Sequence, residues 1–164
     1  MKQLLIIRHA KSSWDINILN DFDRTLNERG HSDAPKMANR LLTKNIGIDA
    51  FVSSPAKRAF TTASYFAKAY NETEEDIIQI EELYHASVNV FYSVVGNIDD
   101  KFNTVAIFSH NPGITDFVNE LTNTRIDDMP TCGIFAINID AKNWTSFRKA
   151  TKQFLFFDYP KAIR

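Results

Sequence analysis

The chain has 164 residues, 44% of them hydrophobic and 24% charged, enough apolar material for one domain spanning 1–164 with a proper core. Its 19 basic and 20 acidic residues give a formal charge of −1, so no global field favours nucleic acid or an acidic membrane surface, and any anion must be bound locally. A single cysteine, Cys132, excludes an intrachain disulfide, and His9, His31, His85 and His110 lack paired metal-ligand spacing, so neither a metal nor a cofactor is expected.

The opening MKQLLIIRHA has only four consecutive large apolar residues, too few for a signal-peptide core or a membrane span, and a cytoplasmic location is the default expectation. Leu4, Leu5, Ile6 and Ile7 show no polar alternation and read as a strand buried on both faces. It stops at Arg8 and His9, followed by Lys11, Ser12 and Ser13, a concentration of hydrogen-bond donors suited to an anion. Ser12–Asp23 reads as a loop, polar apart from Trp14, Ile16, Ile18, Leu19 and Phe22, and the commoner use of such a tryptophan is to pack the loop onto the core.

A helix is expected from near Asn27 to about Lys44, capped by Asn27 or Thr25 and burying Ala34, Met37, Ala38, Leu41 and Leu42. Pro35 fits this helix only if a delayed start puts it in the first turn. Ile48–Ser53 reads as a second strand, and Pro55 leads a helix over Ala56–Ala69 with Arg58 in its first turn. Ile77–Ile80 is a short third strand ending at Glu81, Glu82 and His85; Ser87–Gly96 is a helix capped by Ser87. Thr104–Ser109 is a strand that stops at His110, and Pro112 begins a helix to about Leu121. Cys132–Ile139 and Trp144–Phe157 suggest an antiparallel pair at the sheet edge, with Cys132 a small buried residue and Phe154, Phe156 and Phe157 sealing the core.

Three buried strands thus end within a few residues of a cation or an imidazole. A parallel sheet brings all three ends to one rim, where ligands of open α/β sheets bind. If Arg8, His9, Arg58 and His110 meet there, two guanidinium forks define a phosphoryl site. The chain has no Walker loop and no carboxylate cluster for magnesium, which disfavours metal-dependent phosphoryl transfer. A neutral imidazole is a competent nucleophile at phosphorus, a role that falls to His9, with Arg8, Arg58 and His110 binding substrate and stabilising charge on the phosphoryl oxygens.

Arg8-His9 at a strand end, the S-S-P-x-x-R-A-x-x-T-A pattern from Ser53 to Ala63, and His110 after a later strand resemble the histidine phosphatase (phosphoglycerate-mutase-like) superfamily. The RHAKSSW start, Asp23-Arg24-Thr25-Leu26 with Gly30, and Ser109-His110-Asn111-Pro112 look most like its small phosphohistidine phosphatase branch, typified by SixA. Thr25 stands where that pattern has proline. The resemblance runs from Met1 to about Leu121 and implies an α/β fold, a three-layer α/β/α sandwich with a mostly parallel sheet and an antiparallel C-terminal edge. It implies the same roles for Arg8, His9, Arg58 and His110.

Superfamily members that cleave alcohol phosphates use a carboxylic acid after the third strand, which Glu81 or Glu82 could supply. His85 is a further proton-donor candidate, and Lys11, Ser12, Trp14 and Asp23 are candidate substrate contacts. If neither glutamate reaches the site, phosphohistidine on a protein is the favoured substrate, because an imidazole leaves with little help. A phosphatase of small phosphorylated metabolites and a non-catalytic phosphate-recognising module remain the alternatives. Nothing in the sequence specifies an oligomeric state.

Overall fold

The computed structural model describes residues 1–15 and 20–162; Ile16, Ile18 and Leu19 of the expected loop lie outside them. Four strands run parallel: β1 (Lys2–Arg8), β2 (Ala50–Ser53), β3 (Ile77–Gln79) and β4 (Thr104–Ser109). With antiparallel β5 (Ile134–Ile139) and β6 (Lys152–Asp158) they form one sheet of order β3-β2-β4-β1-β5-β6. Helices α1 (Glu28–Thr43), α2 (Lys57–Ala69), α3 (Val88–Gly96) and α4 (Gly113–Leu121) lie between the strands in sequence.

Successive strand residues point to opposite faces, so the run Leu4–Ile7, fully buried throughout, feeds two cores. Leu5 and Ile7 join Phe51 and Phe108 under Met37 and Leu41 of α1 and Ala63 and Phe66 of α2. Leu4 and Ile6 join Val52 and Ile107 under Phe91 and Val95 of α3 and Phe117 and Val118 of α4. The result is the three-layer α/β/α sandwich, parallel in its centre and antiparallel at its C-terminal edge. Among the described residues no helix is long and apolar enough to cross a membrane.

Several boundaries differ from the sequence reading for local reasons. Pro35 lies inside α1 rather than in its first turn. The start is set by the Asn27 side chain, which accepts from the Gly30 N–H at 2.9 Å. Burial of Ala34, Met37, Ala38 and Leu41 offsets the hydrogen bond that proline cannot make. Leu42 turns to solvent instead. β2 begins at Ala50, because the Asp49 carboxylate accepts from the Asn103 and Thr104 N–H groups, each at 2.9 Å, at the entry to β4. β5 begins at Ile134, because Cys132 takes a left-handed φ of 60°. Its N–H is shared between the Arg8 and His9 carbonyls. Cys132 is nonetheless the expected small buried residue. Trp144 belongs to a short 3-10 turn, fully buried, with its indole N–H donated to the Phe102 carbonyl at 2.8 Å.

Candidate active site

Parallel pairing sets Arg8 of β1 opposite Ser109 of β4, and Ser53 of β2 opposite Phe108 of β4. Three adjacent carboxyl ends therefore open on one rim. Backbone bonds lock the turn-outs in place: the His9 N–H donates to the Ser109 carbonyl at 3.1 Å and the Ser54 N–H to the Phe108 carbonyl at 3.0 Å. Arg58, in the first turn of α2, completes a hollow of about 300 Å³ bordered by Arg8, His9, Arg58 and His110. All four residues singled out from sequence meet there. Lys11, Ser12, Trp14 and His85 line it too, whereas Glu81, Glu82 and Asp23 do not. The two glutamates stand exposed in the turn Glu81–Leu83.

His9 and His110 face each other with ring centroids 5.2 Å apart, both nearly closed to solvent. His9 Nδ1 lies 2.7 Å from the Ala10 carbonyl, an acceptor only, so Nδ1 carries the proton and Nε2 keeps its lone pair. Burial, reinforced by the charges of Arg8, Arg58 and Arg24, pushes the His9 pKa down to about 3 although the Ala10 bond works the other way. His110 is pushed down to about 2, by burial first and then by His9 and Arg58. Its Nε2 is 2.8 Å from Ser54 Oγ. Both rings are thus held neutral across the physiological range, a state in which an imidazole can act as a nucleophile or as an uncharged donor.

Arg8 is anchored through Nη1, which donates to the Met129 carbonyl at 2.8 Å. The remaining guanidiniums converge on Asp21, a residue the sequence reading did not single out. Arg58 Nη2 donates to Asp21 Oδ2 at 2.9 Å, Arg24 Nη1 to Oδ1 at 2.9 Å, and the Tyr84 hydroxyl to Oδ2 at 2.7 Å. Burial alone would raise this carboxyl, but the bonds from Tyr84, Arg24 and Arg58 hold it well below the usual carboxylate range. Arg24 also donates to the Ser13 carbonyl at 3.1 Å and to Ser12 Oγ. Trp14 does not pack into the core: the residue is 79% exposed and its ring lies 3.4 Å from the Arg24 guanidinium at the mouth of the hollow. A guanidinium already tied by three bonds gives the ring a platform there.

The loop carrying Lys11 to Trp14 is held against the start of α1. The Asn27 N–H donates to the Lys11 carbonyl at 3.0 Å and the Ser13 N–H to the Thr25 carbonyl at 2.8 Å. A Cβ on Gly30 would lie 2.1 Å from the Lys11 carbonyl oxygen, so only glycine admits this approach. Arg24 is extended, at φ −60° and ψ 129°, the conformation a following proline favours; Thr25 keeps the loop path without one.

The family model for the histidine phosphatase superfamily, branch 1, matches residues 4–92. An uncharacterized protein of Mycobacterium leprae is 27% identical over 167 residues, spanning 94% of this chain and 100% of that one. The fold is similar to that of a structure named as SixA from Agrobacterium tumefaciens, with a TM-score of 0.82, 24% identity and coverage of 97% of this chain and 98% of that one. It is also similar to the phosphoserine phosphatase of Entamoeba histolytica in complex with 3-phosphoglyceric acid, with a TM-score of 0.68, 16% identity and coverage of 98% of each chain. The sheet order, the strand-end hollow and the match over more than half of the sequence lead to one assignment: the chain belongs to the histidine phosphatase superfamily.

Proposed function

We propose that the protein is a metal-independent phosphatase that removes phosphate from phosphohistidine on a protein, through a phosphohistidine intermediate on His9. His9 Nε2 attacks phosphorus; the bond from phosphorus to the substrate ring nitrogen breaks, and its electron pair leaves with a neutral imidazole already protonated on its other nitrogen. Water then attacks phosphorus and the bond to Nε2 breaks, which returns the lone pair to His9 and yields inorganic phosphate once the water's proton passes to solvent. Arg8 and Arg58 neutralise the phosphoryl oxygens, and His110 donates a hydrogen bond to them from a neutral ring.

One observation carries the choice of substrate. Among the described residues lining the hollow the only carboxylate is Asp21, and Arg58, Arg24 and Tyr84 together keep it ionised. A side chain held in that state accepts hydrogen bonds and gives up no proton. An alkoxide needs a positioned proton donor to leave, whereas an imidazole with an ordinary pKa of about 6.5 does not. The Agrobacterium tumefaciens protein of similar fold is named as a phosphohistidine phosphatase, which agrees with this reading.

His85 at the edge of the hollow favours a second reading, a phosphatase of small phosphorylated metabolites, since an imidazole there can carry a proton to a leaving oxygen. Turnover of a phosphohistidine-bearing protein and of sugar phosphates, compared in EDTA, separates the two. The proposal expects fast release from phosphohistidine with sugar phosphates slower by about two orders of magnitude, the usual worth of general acid catalysis. Equal rates, or activity that EDTA abolishes, would contradict it.

A further inference from the structure

Asp21 sits at the start of a 3-10 turn, Asp21–Asp23, that no catalytic motif marks. The turn is tied at its start by the Asn20 side chain, which accepts from the Asp23 N–H at 3.0 Å. From this position one residue meets Arg58 twice, since its backbone carbonyl accepts from Nη1 at 2.7 Å while its carboxylate accepts from Nη2 at 2.9 Å. Both end nitrogens of a guanidinium that is only 5% exposed are thereby fixed by a single residue. The same carboxylate fixes Arg24, which carries the Trp14 ring, and Tyr84, whose ring lies 5.5 Å from that of His110.

The electrostatics give this arrangement its purpose. Arg8, Arg24 and Arg58 all border one small hollow, and the charges of Arg8 and Arg58 oppose each other there. Arg8 and Arg24 have other anchors, in the Met129 carbonyl and in Ser12 and Ser13. Without the Asp21 carboxylate, Arg58 would face two like charges with no negative partner among the described residues lining the hollow. A catalyst that stabilises developing charge works best when its donors are already in place. Each Arg58 end nitrogen has a second hydrogen, so the grip of Asp21 leaves donors for phosphoryl oxygens.

We infer that Asp21 is a positioning residue of the phosphoryl site: it holds Arg58 and Arg24 in their binding arrangement before substrate arrives and stays with them through the reaction. This rests on the phosphatase reading above, with Arg58 as an oxyanion ligand. The opposite role, a carboxylate that occupies Arg58 as a stand-in for phosphate and must be displaced, makes an opposite prediction.

The test uses the full chain and Asp21→Asn, with inorganic phosphate and orthovanadate binding measured by calorimetry beside steady-state kinetics. Asp21 is surface-accessible, so the variant is expected to melt close to wild type. The positioning role predicts that phosphate and vanadate bind several-fold more weakly although a negative charge has been removed, and that kcat falls by about 10- to 100-fold. In an Arg58→Ala background the same substitution should cost several-fold less than in the wild type, because its main partner is gone and only Arg24 remains to be positioned. Tighter phosphate binding by Asp21→Asn, or losses that simply multiply with those of Arg58→Ala, would overturn the inference. Weaker phosphate binding by the variant in a protein that ignores phosphohistidine would leave the inference standing and remove the substrate assignment. A wild-type chain that binds neither phosphate nor vanadate would end both.

Discussion

Two hollows flank the same half of the sheet, and the larger is not the one that gathers the cations and imidazoles. Between β3 and α3 a groove of about 540 Å³ is lined by Ile78, Ile80, Val90, Val94 and Phe102, with carboxylates only at Glu82 and Asp99. The hollow at the ends of β1, β2 and β4 is little more than half that volume yet collects three guanidiniums and three imidazoles. An apolar groove forms wherever a short edge strand leaves a helix partly uncovered. Gathering like-charged groups in one small space takes three strand ends, a helix start and a counter-ion. Convergent polar groups mark the reactive site better than size does.

The contrast breaks first at His9. His9→Ala should lower turnover by at least about a thousandfold, since the Ala10 carbonyl, which can only accept, fixes the His9 proton on Nδ1 and leaves Nε2 to attack. Initial rates on phosphohistidine protein check this, and a loss below tenfold would move the nucleophile elsewhere. Arg58→Ala should cost about 10²- to 10³-fold in kcat, the worth of one strong oxyanion donor.

The buried rings also make a stability prediction. An unfolded histidine takes up a proton near pH 6.5, whereas in the folded chain His9 and His110 resist until about 3 and about 2. The unfolded state therefore binds more protons between those limits. Stability should be complete above pH 6.5 and fall with acidification, each ring contributing a slope on the order of 1 kcal/mol per pH unit. Urea midpoints from pH 7 to 4 measure the fall, and His110→Asn should roughly halve these rings' share of it. A flat profile would mean that the rings are more open than they look. Over the same range above pH 5, protonation of the nucleophile should cause no loss of kcat.

Gly30→Ala acts on the hollow at a distance. The added methyl meets the Lys11 carbonyl, and the strain should cost about 2–3 kcal/mol, seen as a drop in Tm of roughly 5–10 °C. The smallest effect belongs to the groove. Ile78→Ser there should leave kcat/KM within about twofold, and a larger loss would mean that the two hollows communicate.

What could be read in advance follows from the range of the forces involved. The strand runs Leu4–Ile7 and Thr104–Ser109 were plain because burial on both faces permits no polar interruption, and the parallel register then brought His9, Arg58 and His110 together. Pro35 misled because local preference for a helix start lost to a stripe of buried residues further along α1. Asp21 was hidden for a different reason. Its importance lies in contacts with Arg58 and Tyr84, 37 and 63 residues away in sequence, and no spacing rule points to it. The carboxylate that the sequence motif marks, Asp23, stands two residues further on, exposed and outside the hollow. Trp14 defied the usual expectation for a large ring, since its partner is a charged platform at the mouth and not the core.

The central claim is that His9 Nε2 takes up the phosphoryl group. Rapid acid-free quenching during turnover of a labelled substrate, followed by peptide mapping of the enzyme, tests it most directly. The account predicts a single acid-labile, base-stable phosphate on His9 that decays at the rate of turnover. Label on another residue, or full turnover by a chain that never carries phosphate, would contradict it.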